Sequence, residues 1–206
     1  MNLITISREF GSGGRELGKR LADALEYAYY DREILTALAE DTRMDPDYLE
    51  RVLEQGTFSS MYPVTFGRTF SYHTNRTTEL LARQTKLLRM LADKHNCVLV
   101  GRNANVILED RHPLRIFVYA DMTTKIKRCR AREQSGTLLT DQEYEKQIRR
   151  VDKQRAKTHA LLCPYPWGDV RGYDLCINTS GVEIKEMIPS ICAYAAKWFE
   201  REGAGV

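Results

Sequence analysis

The chain has 206 residues, 43% of them apolar, and a net charge of +3. That is enough apolar mass for one packed domain, too little net charge for a general polyanion-binding surface, and no stretch approaches the ~18 apolar residues of a membrane span. Five cysteines, at 97, 129, 163, 176 and 192, show no C-x-x-C or His/Cys ligand spacing and read as reduced thiols. With no charged, apolar leader ahead of the first strand, a cytoplasmic location is expected.

Leu3 to Ile6 is a short apolar strand, and Leu17, Leu21 and Leu25 recur every fourth residue along one helix face. Between them lies a glycine-rich turn containing Gly11, Ser12, Gly13 and Gly14. A helix N-terminus directs its unpaired N–H groups and positive dipole end at such a turn, which makes an anion cradle. The loop fits no standard signature. In the pattern G-x-x-x-x-G-K-[ST], the lysine falls on Gly14 or Arg15 and the first glycine on Arg8 or Glu9. The dinucleotide pattern G-x-G-x-x-G starts at Gly11 and meets Glu16 where its third glycine belongs. By itself the segment also reads as a plain strand-to-helix turn.

Tyr27 to Tyr30 is a second strand, and Asp31 is placed to cap a helix carrying Ile34, Leu35, Leu38 and Ala39. Asp45-Pro46 opens a helix to about Gln55. From Gly56 to Tyr72 the pattern dissolves into spaced aromatics, and a long helix follows over Thr77–Lys94. Cys97–Val100 and Leu114–Ala120 are apolar strands of the kind buried on both faces of a parallel sheet. Asp121 caps a helix through Glu133, and Thr140 with Glu143 forms a capping box for a helix to about Ala160. Tyr173–Asn178 is the last strand, and Gly181–Glu200 the last helix, kinked or restarted at Pro189. Five strands alternating with helices predict a doubly wound α/β fold with its ligands at the carboxyl ends of the strands.

Lys125, Arg128 and Arg132 share one helix face, and the next helix carries Arg149, Arg150, Lys153, Arg155 and Lys157. Each alone reads as solvated surface; together, after a glycine loop, they suit phosphoryl chemistry, because guanidinium forks match phosphate oxygens. Gln134 to Thr140 between the two helices is a hinge-like connection. Arg102, just past a buried strand and Gly101, lies where α/β sheets place ligand groups, though it also suits a loop-bracing role.

These stretches together resemble the P-loop nucleoside monophosphate kinases, and most closely the cytidylate kinase-like family of bacteria. The resemblance rests on Ile6-Ser-Arg-Glu-Phe-Gly-Ser-Gly-Gly-Arg-Glu16, Tyr29-Tyr-Asp31, Gly101-Arg102-Asn103, the Arg128/Arg132 helix and Asp152-Lys-Gln-Arg155-Ala156. Trp167-Gly-Asp169, Tyr173-Asp174-Leu175 and Asn178-Thr179 complete it. It implies one kinase-like domain over residues 1–206, a three-layer fold on a five-stranded parallel sheet, a helical acceptor-nucleotide subdomain over 40–95 and a lid over 133–158. By carry-over, Gly11 to Glu16 and Arg128 bind the donor nucleotide, while Asp31 and Arg102 bind the acceptor. Arg132, Lys153 and Arg155 close on the transferring phosphoryl group. ATP and Mg²⁺ are the implied donor and cofactor, and a small phosphorylated acceptor such as CMP is the implied partner.

The departures fall in the loop. Gly14 or Arg15 stands for the lysine, and Arg15 or Glu16 for the metal-binding hydroxyl. Val100 and Asn103 flank Gly101-Arg102 where the family has aspartates. Arg15 is the candidate for the missing charge and Glu16 or Asp31 for the metal, against plain roles as solvated side chain, dipole-favoured carboxylate and helix cap. The leading expectation is a nucleotide or small-molecule kinase. A non-catalytic nucleotide sensor descended from such kinases is the alternative, ahead of an NAD-dependent oxidoreductase and of nucleic-acid binding. Neither the acceptor's identity nor the oligomeric state is legible in the sequence.

Overall fold

The computed structural model describes residues 1–31, 33–43, 70–133 and 139–203. The expected helix at 45–55, residues 56–69 of the aromatic segment and most of the 134–140 connection lie outside them. Strands β1 (Leu3–Arg8), β2 (Ala28–Tyr30), β3 (Cys97–Val100), β4 (Leu114–Tyr119) and β5 (Leu175–Asn178) form one sheet in the order β2-β3-β1-β4-β5. All four pairings are parallel, as the unalternating apolar runs require.

Residue alternation along the strands separates two cores. Ile4, Ile6, Val98, Val100, Ile116 and Val118 face helices α1 (Gly14–Leu25) and α7 (Ile184–Gly203), where Leu17, Leu21, Ile188 and Ile191 meet them. Leu3, Cys97 and Leu99 face the opposite layer. That layer contains α2 (Glu33–Thr42), α3 (Phe70–Ala92) and the short α4 (Ala104–Ile107), which contribute Ile34, Leu88 and Ala104. Leu17 and Leu21 are wholly buried, and each such side chain contributes about 1.5–3 kcal/mol. The result is the expected three-layer α/β architecture.

Helices α5 (Met122–Ala131) and α6 (Asp141–Ala160) follow β4. Asp121 caps α5 by accepting the Thr124 N–H, and both halves of the Thr140/Glu143 capping box are formed. The Arg130–Asp141 ion pair joins the end of one helix to the start of the next.

Several boundaries differ from expectation. Helix α3 begins at Phe70 rather than Thr77, through a polar stretch with no apolar periodicity to announce it. Strand β2 begins at Ala28, because the Tyr27 N–H still closes α1 onto the Ala22 carbonyl at 2.9 Å. Helix α5 stops at Ala131, and β5 starts at Leu175 after a 3-10 turn over Val170–Gly172. Helix α7 runs unbroken through Pro189, which sits in its second turn and forfeits one backbone bond.

Candidate active site

Strand β1 occupies the centre of the sheet, and the chain after it turns into α1 through Gly11 to Gly14. Gly13 takes the N-cap position at φ +83°, left-handed backbone suited to glycine. The N–H groups of Gly14, Arg15 and Glu16 have no intrahelical acceptor and point out of the first turn. The loop is held from behind. The Ser12 carbonyl accepts from Arg128 Nη1 at 2.9 Å and from Thr179 Oγ1 at 2.7 Å. Arg128 also donates to the Thr179 hydroxyl and to the Thr179 and Val182 carbonyls, so its fork joins loop, α5 and the β5–α7 turn.

A partly buried charge group secures the other side. Glu9 pairs with Lys125 at 2.5 Å, and Lys125 lies 3.9 Å from Asp152, whose carboxylate accepts the Phe10 N–H at 2.7 Å. Burial pushes the Asp152 carboxyl up to about 6, against the pull of the Phe10 N–H, Arg155 and Lys125. Lys125, one of the expected row of cations, therefore closes an internal ion pair.

The carboxyl ends of β1 and β3 border a cavity of about 50 Å³ lined by Arg8, Arg102, Arg155, Gln84, Asn103 and Trp167, among others. That space exceeds what one ordered water needs. Arg102 and Asn103 follow Gly101 in three successive left-handed residues, at φ 57°, 53° and 81°. Such backbone is costly for non-glycine residues and concentrates at ligand sites. The Arg102 carbonyl accepts from Gln84 Nε2 at 3.2 Å, which braces this turn against α3. Arg155 donates to the Arg8 carbonyl at 3.0 Å and lies 3.5 Å from Asp152. Trp167 walls the cavity and meets Phe117 edge-on, with ring centroids 5.4 Å apart.

Arg8 runs under the loop into this cavity. Its guanidinium is 3.5 Å from Asp31, a buried carboxylate that also pairs with Arg15. Burial first, then repulsion from Arg155, Arg102 and Arg15, push the Arg8 guanidinium down to about 9 against the opposing pull of Asp31. It is still charged at neutral pH.

Arg102, Arg155, Arg15 and Asp31 thus come together around Arg8, which the sequence showed only as a misfit in a signature. Glu16 is half-buried in the first turn of α1 and pairs with Arg20 at 2.9 Å. Arg132 caps the end of α5 and Lys153 projects from α6, both exposed and outside the converging set. Asp152 stood in the sequence only within a quoted stretch and Lys125 only within a row of cations, neither with its internal role; a lone acid amid Arg149, Arg150, Lys153 and Arg155 was the available signal. Among the described residues no group of three His, Cys, Asp or Glu could hold a metal by itself. Among the same residues, no helix is long and apolar enough to cross a membrane.

A glycine loop between a central parallel strand and its helix, with arginines gathered over the strand ends, defines a P-loop kinase-type fold. The chain belongs to the cytidylate kinase-like family, whose model matches residues 3–181. A cytidylate kinase of Haloarcula marismortui is 23% identical over 202 residues, covering 98% of this chain and 92% of that one. An uncharacterized protein from Eubacterium ventriosum, known as a crystal structure, superposes with a TM-score of 0.70 at 27% identity, over 95% of this chain and 99% of the other. A shikimate kinase from Bacteroides thetaiotaomicron shares the fold at a TM-score of 0.57 and 17% identity, over 97% and 98% of the two chains.

Proposed function

We propose that this protein is an ATP-dependent, cytoplasmic phosphotransferase that passes the γ-phosphoryl group to a small phosphorylated acceptor of the nucleoside monophosphate type, CMP being the first candidate. The observation that carries the reading is the convergence of Arg8, Arg102 and Arg155, from three separate elements, on one cavity at the carboxyl ends of β1 and β3, the strand that leads into the glycine loop being one of its walls. Phosphoryl transfer requires positioning and charge where negative charge accumulates, and little covalent chemistry from the protein.

In this reading the N–H groups of Gly14, Arg15 and Glu16 receive the donor's phosphates, with the Gly11–Gly14 turn around them and Arg128 against the donor. Arg102 takes the acceptor's phosphate, and Asp31 orients the acceptor and steadies Arg15. Residues 40–95 form the acceptor subdomain. Residues 133–158 form the lid, which brings Arg132, Lys153 and Arg155 over the transferring group and excludes water. Mg²⁺ takes few protein ligands beside substrate phosphates, so the half-buried first-turn Glu16 fits as its one carboxylate, released from Arg20. It would supply charge neutralisation on the triphosphate.

The alternative is a nucleotide sensor without catalysis, favoured by Gly14 and Arg15, or in the next register Arg15 and Glu16, standing where the signature has lysine and hydroxyl. Two measurements separate them. ATP or ADP should raise the melting temperature, by about 2.7 kcal/mol of added stability at 100 times the dissociation constant, while NAD should not. ADP release on adding CMP or another nucleoside monophosphate then marks the enzyme. Stabilisation by ATP with no release for any common monophosphate favours the sensor.

A further inference from the structure

We infer that the cation of this phosphate loop has moved: Arg8, in the place of the signature's first glycine, supplies to the transferred phosphoryl group the charge a lysine at position 14 would supply. The inference deepens the phosphotransferase reading and rests on it. In the register that puts the lysine on Gly14, the first glycine falls on Arg8, so the loop's two departures are one pair. They are also neighbours in space. A Cβ on Gly14 would sit 2.5 Å from Arg8 Cβ and 3.0 Å from its Cγ, closer than packed carbons approach. A side chain at 8 and a side chain at 14 exclude one another.

Arg8 then continues toward β3, where a Cβ on Gly101 would fall 1.9 Å from its Nη1. Both glycines clear its path. The path ends in the cavity that Arg102 and Arg155 share at the carboxyl ends of β1 and β3. Its ion pair with Asp31 is long, 3.5 Å, and Asp31 also serves Arg15, so two guanidiniums draw on one carboxylate. Positive charge in excess, buried and preorganised, is what a polyphosphate rewards. In the step served, an acceptor phosphate oxygen bonds the γ-phosphorus as the bond to the β,γ-bridging oxygen breaks. The electron pair leaves on ADP, and a dianionic acceptor has no proton to lose.

The test compares the unsubstituted protein with Arg8→Gly, Gly14→Lys and the Arg8→Gly/Gly14→Lys double variant. Melting temperature, affinities for ATP and AMP with Mg²⁺, and ADP release with CMP are read for each. Arg8→Gly should cut turnover on the order of 10³-fold and lower the preference for ATP over AMP by at least about tenfold. Gly14→Lys alone should melt early from the clash. The double variant removes the Arg8 atoms and leaves only Val118 Cβ, at 3.3 Å, among the three nearest atoms, so it should fold and regain at least about tenfold of the lost ATP preference. An unchanged ATP-to-AMP preference in Arg8→Gly overturns the inference whether or not the protein transfers phosphate. A folded double variant that regains nothing does the same. If the unsubstituted protein transfers to no acceptor while Arg8→Gly loses its ATP preference, the phosphotransferase reading fails and Arg8 keeps its role as phosphate ligand. Should Arg8→Gly not fold, Arg8→Lys against Arg8→Gln gives the same comparison: retained ATP preference in the first and loss in the second supports the role, and equality overturns it.

Discussion

The Asp152 carboxylate accepts the backbone N–H of Phe10 at 2.7 Å, tying α6 to the glycine loop across 142 residues of sequence. Removing the acceptor leaves a donor unsatisfied and Lys125 with Glu9 alone. Asp152→Ala should therefore cost about 1–3 kcal/mol in urea unfolding, while Asp152→Asn, which keeps an oxygen for Phe10, should cost less. Equal losses would place the effect in the charge rather than the hydrogen bond.

Arg128 holds the loop through four acceptors contributed by three residues, Ser12, Thr179 and Val182. A lysine has one nitrogen and no fork. Arg128→Lys should thus resemble Arg128→Ala, with lowered melting temperature and weaker ATP binding together. A lysine variant that melts and binds like the unsubstituted protein would show that charge alone suffices.

The sheet was legible because each strand is an unbroken apolar run between helices, and the caps at Asp121 and Thr140 because local hydrogen bonding dictates them. The start of α3 was not, since packing by residues such as Leu80 and Leu88 stabilises a helix whose polar first turns carry no periodicity. At the site, the glycine loop and Arg102 could be read from position relative to strands. Arg8 could not: its meaning depends on Gly14 and Gly101, and on the approach of β1 to β3, which no spacing in the chain encodes. Lys125 and Arg128 were read as a row of cations on one helix face, with Arg128 toward a donor nucleotide; in the fold that face turns to the loop, where Lys125 pairs with Glu9 and Arg128 binds the Ser12 carbonyl.

His159 is buried near the end of α6, with a hydrogen-bond partner for neither ring nitrogen, and burial holds its value below the usual 6.5. The unfolded chain therefore takes up this proton first as pH falls. Its contribution is present above pH 6.5 and lost below it, toward the depressed folded value. Asp152, raised to about 6, acts in the opposite sense, its contribution declining as pH rises from the unfolded carboxyl range through that value. His159→Phe removes only the first effect. Relative to the unsubstituted protein, its urea midpoint should improve more at pH 5.5 than at pH 7.5. The same gain at both values would mean packing, not protonation.

Arg102 reaches the cavity from a left-handed turn whose backbone carbonyl, not its guanidinium, accepts the bracing bond from Gln84. Arg102→Ala should keep the melting temperature near that of the unsubstituted protein and raise the KM for the phosphorylated acceptor by about 10–100-fold, with a small change for ATP. Matched losses for both substrates would assign it to the turn instead.

The cations proposed for a closing lid divide into two kinds, and their substitutions should divide with them. Arg155 already donates to the Arg8 carbonyl at 3.0 Å and packs over Phe10, so Arg155→Ala removes a support of the loop as well as a charge. It should lower both melting temperature and turnover. Arg132 and Lys153 are exposed, one at the end of α5 and the other on α6, and exposed substitutions usually stay within about 0.5 kcal/mol of neutral. If lid closure brings them over the transferring group, Arg132→Ala and Lys153→Ala should lower kcat with unchanged melting temperature and unchanged affinity for ADP. The losses should approach 10³-fold where the group acts as an arginine finger does. Turnover unchanged in both would leave Arg155 as the lid's contribution to the site and return the other two to the solvated surface.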